Sequence, residues 1–231
     1  MDIKQKLYWL MQAGISSFCA DSPQHINADT ALKDDTPATD KALAVAHKAK
    51  DLSTLNSDKQ AFSLSSLKKT AANTILGRGP QKPRLMCILE SPDSEADKSG
   101  QLFTGAQAEQ LKKMMAAIHL DITKDVYVAF LSPWRTPGNR PLTTAERALF
   151  LPFLMREIEL VQPQKILLFG AGVTAGLLNI ESVAKARGTW HEWQKIPVRV
   201  TLALSALKTT PLRQQAWDDL QQVEKAYFSS L

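Results

Sequence analysis

A chain of 231 residues, 44% of them hydrophobic, is long enough for one sizeable α/β core plus an N-terminal extension. No apolar run approaches the ~20 residues a membrane span needs, and two cysteines, Cys19 and Cys87, cannot supply the ligands of an iron–sulfur cluster or a structural zinc. A formal net charge of +5 is compatible with a polyanionic partner and equally with a plain, mildly basic soluble protein.

The opening residues mix charge with apolar side chains and carry no small-residue cleavage site. They read as an amphipathic helix over Ile3–Gln12 that stops near Gly14, not as a signal peptide, so a cytoplasmic location is the expectation. Ala20–Asp40 is poor in large apolar residues and rich in Asp, Thr, Ala and Pro, which predicts a mobile linker. Lys41–Lys50 predicts a short Ala-rich helix, and Asp51–Lys69 a capped turn with a weak helix. Gly77–Pro83 is turn material. The expected organisation is therefore an N-terminal helix, linker and lead-in over residues 1–80, and a core domain over residues 81–231.

From Arg84 onward, short apolar runs alternate with helical segments. The runs Arg84–Glu90, Val126–Leu131, Lys165–Gly170 and Val198–Leu204 read as buried parallel strands. Helices are predicted over Ala106–His119, Thr143–Val161, Val173–Leu178 and Gln214–Phe228, the second opened by a capping-box pattern at Thr143 and Glu146. This alternation predicts an α/β fold with helices on both faces of a four-stranded parallel sheet, a three-layer α/β/α arrangement. Ligands of such sheets bind outside the carboxyl ends of the strands. Two loops there are long and polar: Glu90–Gly105, which is acidic, and Ser132–Pro141, with two arginines and a tryptophan. Cys87, inside the first strand, reads as a small core residue. His25, His47, His119 and His191 have no metal-ligand spacing, and no metal site is expected. Gly170-Ala171-Gly172 is too short to specify a phosphate loop.

Several ordered segments carry a resemblance. They are Leu10–Ile15, Ala61–Ala71 with Gly77, Phe103-Thr104-Gly105, Phe169-Gly170 with Ala175–Leu178, and Ala216–Leu220. The most specific is Arg135-Thr136-Pro137-Gly138-Asn139-Arg140-Pro141. In this order and spacing the chain resembles the uracil-DNA glycosylase superfamily, most nearly its bacterial type 4 branch. The resemblance implies a uracil-DNA-glycosylase-like fold, a flipped nucleotide in a pocket and DNA as partner. It implies a base stacked on an aromatic and read by an Asn, and a His that stabilises the leaving uracil anion. It also implies that a residue of the first loop positions water and that a loop after the last strand wedges into the DNA stack.

Carried over position by position, the family's first motif Gly-Glu-Ala-Pro-Gly falls on Leu89-Glu90-Ser91-Pro92-Asp93. Glu90 and Pro92 match, and both glycines are replaced. Phe103 holds the stacking position. The base-reading Asn falls on Phe130, which cannot make an amide's paired contacts. The family's His-Pro-Ser falls on Ala203-Leu204-Ser205, so Ser205 matches and the His is absent. Glu90 is thus the one catalytic candidate, with Ser91, Pro92, Asp93, Phe103, Phe130 and Ser205 as base-pocket residues. Arg135, Gly138, Asn139 and Arg140 fall in the DNA-binding signature, with Leu207 at the wedge position and Lys208 as a phosphate contact. The cluster cysteines of the type 4 branch are missing, one of them falling near Ser65, so no iron–sulfur cofactor is expected.

Losing one preorganised donor lowers a rate by ~10²–10³, and two donors are gone here. The expectation is a monomeric, glycosylase-like protein that binds DNA or a protein partner, with lost or much reduced uracil excision. The alternative is an active glycosylase that hydrolyses the N-glycosidic bond of uracil or another damaged base, with Glu90 activating water. Plainer roles stand beside these. Glu90 could cap the next loop, and Phe103 could plug the core beside Phe130. Arg135 and Arg140 could meet phosphates or pair with Asp93, Glu95 or Asp97. Trp134 reads as packing, Lys112-Lys113 as a solvated face, and Trp190 and Trp193 as structural residues of a hairpin or loop.

Overall fold

The computed structural model describes residues 36–229. The helix expected over Ile3–Gln12, the turn at Gly14, Cys19 and the linker up to residue 35 lie outside the described residues. The strands are β1 (Leu85–Leu89), β2 (Val126–Phe130), β3 (Ile166–Phe169), β4 (Trp190–Trp193) and β5 (Ile196–Thr201). The helices are α1 (Thr36–Lys48), α2 (Leu52–Ala61), α3 (Ser66–Thr70), α4 (Ser94–Ser99), α5 (Ala106–Ala117), α6 (Thr144–Val161), α7 (Ala171–Leu178), α8 (Val183–Ala186) and α9 (Thr210–Phe228).

The sheet order is β2-β1-β3-β5-β4. The four strands expected from the sequence are parallel neighbours, with Leu85 opposite Val126, Met86 opposite Ile166 and Ile166 opposite Val198. β4 adds a fifth, antiparallel strand at the β5 edge. It forms a hairpin whose two turn residues, Gln194 and Lys195, both have positive φ, the backbone that suits the twist of a two-residue connection. Trp193 is buried and Trp190 is partly exposed, at 37%.

Strand alternation divides the interior into two cores. Met86, Ile88, Tyr127, Ala129, Leu168 and Val200 face one side, where α1, α2, α6 and α7 contribute Ala42, Leu55, Phe150, Phe153 and Val173. Leu85, Cys87, Leu89, Val128, Phe130 and Leu167 face the other, where α5 and α9 contribute Leu111, Met115, Leu220 and Val223. Both faces are covered, so β1, β2 and β3 are buried throughout, which is why they read as continuous apolar runs. Cys87 is a core residue as expected, and burial pushes its thiol well above the usual range.

The segment before β1 is built into this interior. Thr36–Asp40, read from composition as linker, forms the start of α1, and Ala42, Ala46 and Ala49 bring that helix into the first core. Asp51 caps α2 by accepting from the Thr54 N–H at 2.7 Å, the capped turn anticipated there. On α2, Lys59 donates to the fully buried Glu157 of α6, which also accepts from the Tyr127 hydroxyl at 2.9 Å. Gly77 passes so close that a Cβ there would lie 2.1 Å from Glu157 Oε1. One residue on, Arg78 exchanges two 2.9 Å backbone hydrogen bonds with Val128 and covers the free edge of β2. α6 opens on the capping box read from Thr143 and Glu146.

Candidate functional site

A cleft of about 300 Å³ opens at the carboxyl ends of β1, β3 and β5. Its volume is at the low end of small-ligand sites. Glu90, the residue after β1, stands on its wall. The Glu90 carboxylate accepts from the Leu142 N–H at 2.8 Å and lies against the first turn of α7. A Cβ on Gly172 would sit 2.3 Å from Glu90 Oε1, so the approach requires glycine there. The positive end of a helix favours a carboxylate in this position. Glu90 therefore ties β1 to the loop before α6 while still facing the cleft.

The acidic segment after Glu90 turns its carboxylates inward. Asp93 caps α4, accepting from Glu95 N–H at 3.1 Å and Ala96 N–H at 2.9 Å. Its second oxygen accepts from the Gln107 N–H at 3.2 Å, and Glu95 accepts from the Ala106 N–H at 3.1 Å. The first turn of α5, whose N-cap residue Gly105 has no side chain to offer, is thus satisfied by two borrowed carboxylates. Gly105 has φ 94° and ψ 176°, and a Cβ on it would meet Glu95 Oε2 at 2.6 Å. Asp97 accepts from Ala72 N–H at 2.9 Å and Asn73 N–H at 3.1 Å. These contacts resolve the unfavourable charge of the segment without the arginines.

The loop from Pro133 to Arg140 holds itself. The Ser132 hydroxyl donates to Trp134 O at 2.9 Å, and the buried Trp134 indole donates to Thr74 Oγ1 at 3.0 Å. Thr136 donates to Arg140 O at 2.6 Å across a turn in which Gly138 and Asn139 both have positive φ. Arg135 Nε donates to Asn139 Oδ1 at 2.7 Å. Arg140 forms a bidentate pair with Glu146, both bonds 2.7 Å, so its partner is the capping-box glutamate and none of Asp93, Glu95 or Asp97. Burial would raise the Glu146 carboxyl, but Arg140 and the Thr143 N–H outweigh it and lower the pKa below the usual glutamate range. The hydrogen bonds to Glu146 raise the Arg140 guanidinium.

Glu90, Ser91, Pro92, Asp93, Asn139, Arg140, Ala203 and Ser205 all line the cleft, so residues far apart in sequence meet there. Others assigned to the site from the sequence do not. Phe130 is buried in the second core, because the strand alternation that puts Val126 and Val128 on that face puts Phe130 there too. Phe103 packs against the same core and borders a separate depression with Arg78 and Thr123, outside the Glu90 cleft. Leu207, placed at the wedge position, is 6% exposed and packs in the second core. Arg213 holds that loop by donating to Leu207 O at 3.1 Å and Lys208 O at 3.4 Å, which leaves the Lys208 side chain exposed. The cleft also contains Gln107 and Gln110, which were not singled out from the sequence. Their signal was two glutamines three residues apart, one turn into the helix after Phe-Thr-Gly.

The profile of the Uracil DNA glycosylase superfamily matches residues 76–221, from the lead-in strap at Gly77 to Leu220 on α9 and through all of these loops. The chain belongs to the uracil-DNA glycosylase superfamily. It is 30% identical over 171 residues to a type-4 uracil-DNA glycosylase of Saccharolobus solfataricus, covering 70% of this chain and 79% of the relative. It is 27% identical over 158 residues to a type-4 uracil-DNA glycosylase of Thermotoga maritima, covering 66% and 82%. A stretch of 129 residues is also 27% identical to part of a DNA polymerase of Bacillus phage SP01, covering 56% of this chain and 14% of that protein. These similarities place the protein on the type-4 branch. Among the described residues, the Cys87 thiol is buried in the sheet, 3.8 Å from Met115 Sδ, and Ser65 accepts from the Leu67 N–H as the N-cap of α3. No helix among the described residues is long and apolar enough to cross a membrane.

Proposed function

We propose that this protein uses the glycosylase fold to bind DNA and excises uracil slowly or not at all. The observation that carries this reading is the composition of the cleft. At the position of the family's base-reading Asn the chain has Phe130, which faces the core, and at the position of the leaving-group His it has Ala203, which lines the cleft with a methyl group. A developing uracil anion would find neither donor, and each such loss lowers the rate by ~10²–10³. Binding is supported by the exposed Lys208 and by Arg135, whose guanidinium has no carboxylate partner among the described residues. Arg140 contributes less, because Glu146 already neutralises it. The reading carries with it a monomer acting in the cytoplasm. A protein partner in place of DNA is the competing occupant.

One observation favours residual catalysis. Glu90 keeps its place on the wall of a cleft with room for a small ligand. The test is a uracil-release assay on single- and double-stranded oligonucleotides, run beside a salt titration of binding. The expected result is no release above background, with binding that weakens steeply with salt. Arg135→Ala and Lys208→Ala should each reduce the salt slope by about 1. Uracil release abolished by Glu90→Gln would overturn the non-catalytic half. Binding that is absent at low salt, or indifferent to both charge removals, would overturn the DNA half.

A further inference from the structure

We infer that Gln107 and Gln110 read the edge of an unpaired nucleobase held in the Glu90 cleft, in place of the amide that Phe130 cannot supply. This inference rests on the DNA-binding reading above and assigns a ligand to its cleft.

The two glutamines stand three residues apart on α5, so they share a helix face, with Cβ atoms about 5–6 Å apart. Both border the cleft and both are half-buried. Neither side-chain amide makes a hydrogen bond to any described residue, although the Gln107 backbone N–H is held by Asp93. Two amides therefore present donors and acceptors to a cavity whose other wall carries Glu90 and Ser205. That is the equipment needed to match a base edge, where donors and acceptors lie side by side.

The surroundings select against an anion. The backbone donors that open α5 are occupied by Asp93 and Glu95, and the Arg140 guanidinium by Glu146. A phosphate would meet carboxylates where a helix N-terminus usually offers free N–H groups. A neutral heterocycle meets no such penalty. The same carboxylates fix the first turn of α5, so the glutamines project from a rigid base. An unpaired strand fits better than a duplex, because the unstacking that delivers a base to a pocket costs least there.

The test compares the binding of a fluorescent thymidine 12-mer with that of an abasic 12-mer of the same phosphate count. Wild-type protein should bind the thymidine strand roughly tenfold more tightly, the discrimination expected of a good paired contact. The double variant Gln107→Ala/Gln110→Ala should bind both strands with the wild-type affinity for the abasic one. Alanine favours the helix, and an unchanged circular dichroism spectrum and denaturation midpoint will establish that the variant folds. Equal wild-type binding of the two strands would overturn this inference and leave the DNA-binding reading standing. A thymidine preference that survives the double substitution would do the same. Absence of binding to either strand would overturn both.

Discussion

The Pro133–Arg140 loop and the Glu90–Gly105 segment flank one cleft but hold their polar groups in opposite ways. The first closes on itself through Thr136, Asn139 and two positive-φ residues, and its arginines lie at the surface. The second directs Asp93, Glu95 and Asp97 onto backbone N–H groups of neighbouring segments. A motif whose shape is satisfied locally persists as a motif. A segment whose geometry depends on neighbours can exchange glycine for aspartate when the new carboxylate finds donors. The family pattern is therefore legible in the arginine loop, while the segment beside it is held by contacts that no local motif records.

Three experiments can break or sharpen this contrast. The largest effect is expected at the glycines. Gly105→Val places a β-branched residue at a backbone conformation reserved for glycine, with Glu95 2.6 Å from the new Cβ, and should destabilise the fold by about 3 kcal/mol in urea denaturation. Gly138→Ala, at φ 65° with nothing within 4 Å of a Cβ, should cost about 1 kcal/mol. Equal costs would mean that both loops are locally determined. Next, Asp93→Ala removes the α4 cap and the Gln107 N–H acceptor together and should cost about 1–2 kcal/mol, with Asp93→Asn recovering a large part of it. Full stability in the alanine variant would show that the inward carboxylates do not anchor the segment.

The smallest effect concerns the one carboxylate that serves the arginine loop. The folded-state pKa of Glu146 is lowered, so its contribution is complete above the unfolded value of about 4.3 and is lost as pH falls through the folded value. With Arg140 41% exposed, Glu146→Gln should lower stability at pH 7 by about 0.5–1 kcal/mol, and the difference should shrink as pH falls through the folded-state value. A difference that does not shrink at all on acidification would place the effect in packing and not in charge.

Much of the fold was legible because it rests on short-range pattern. The apolar runs gave the four parallel strands, since a strand covered on both faces has no polar alternation to hide it. Thr143 and Glu146 marked the start of α6 three residues apart. The burial of Phe130 and Leu207 was not legible for the opposite reason. Motif alignment gives a position along the chain, but which way a side chain points depends on strand register and on the helices packed above it.

The sequence by itself determined the family, the order of the parallel strands' segments and the two long loops at the carboxyl ends of the strands, which flank one cleft. These follow from periodicity, turn residues and the spacing of a motif, all written within a few residues of one another. Only the tertiary structure decided that Arg140 belongs to Glu146, that Asp93 and Glu95 close the start of α5, that Leu207 is core, and that Gln107 and Gln110 enter the cleft. Each of those outcomes is a competition among partners brought together by folding, and no local pattern records which partner wins.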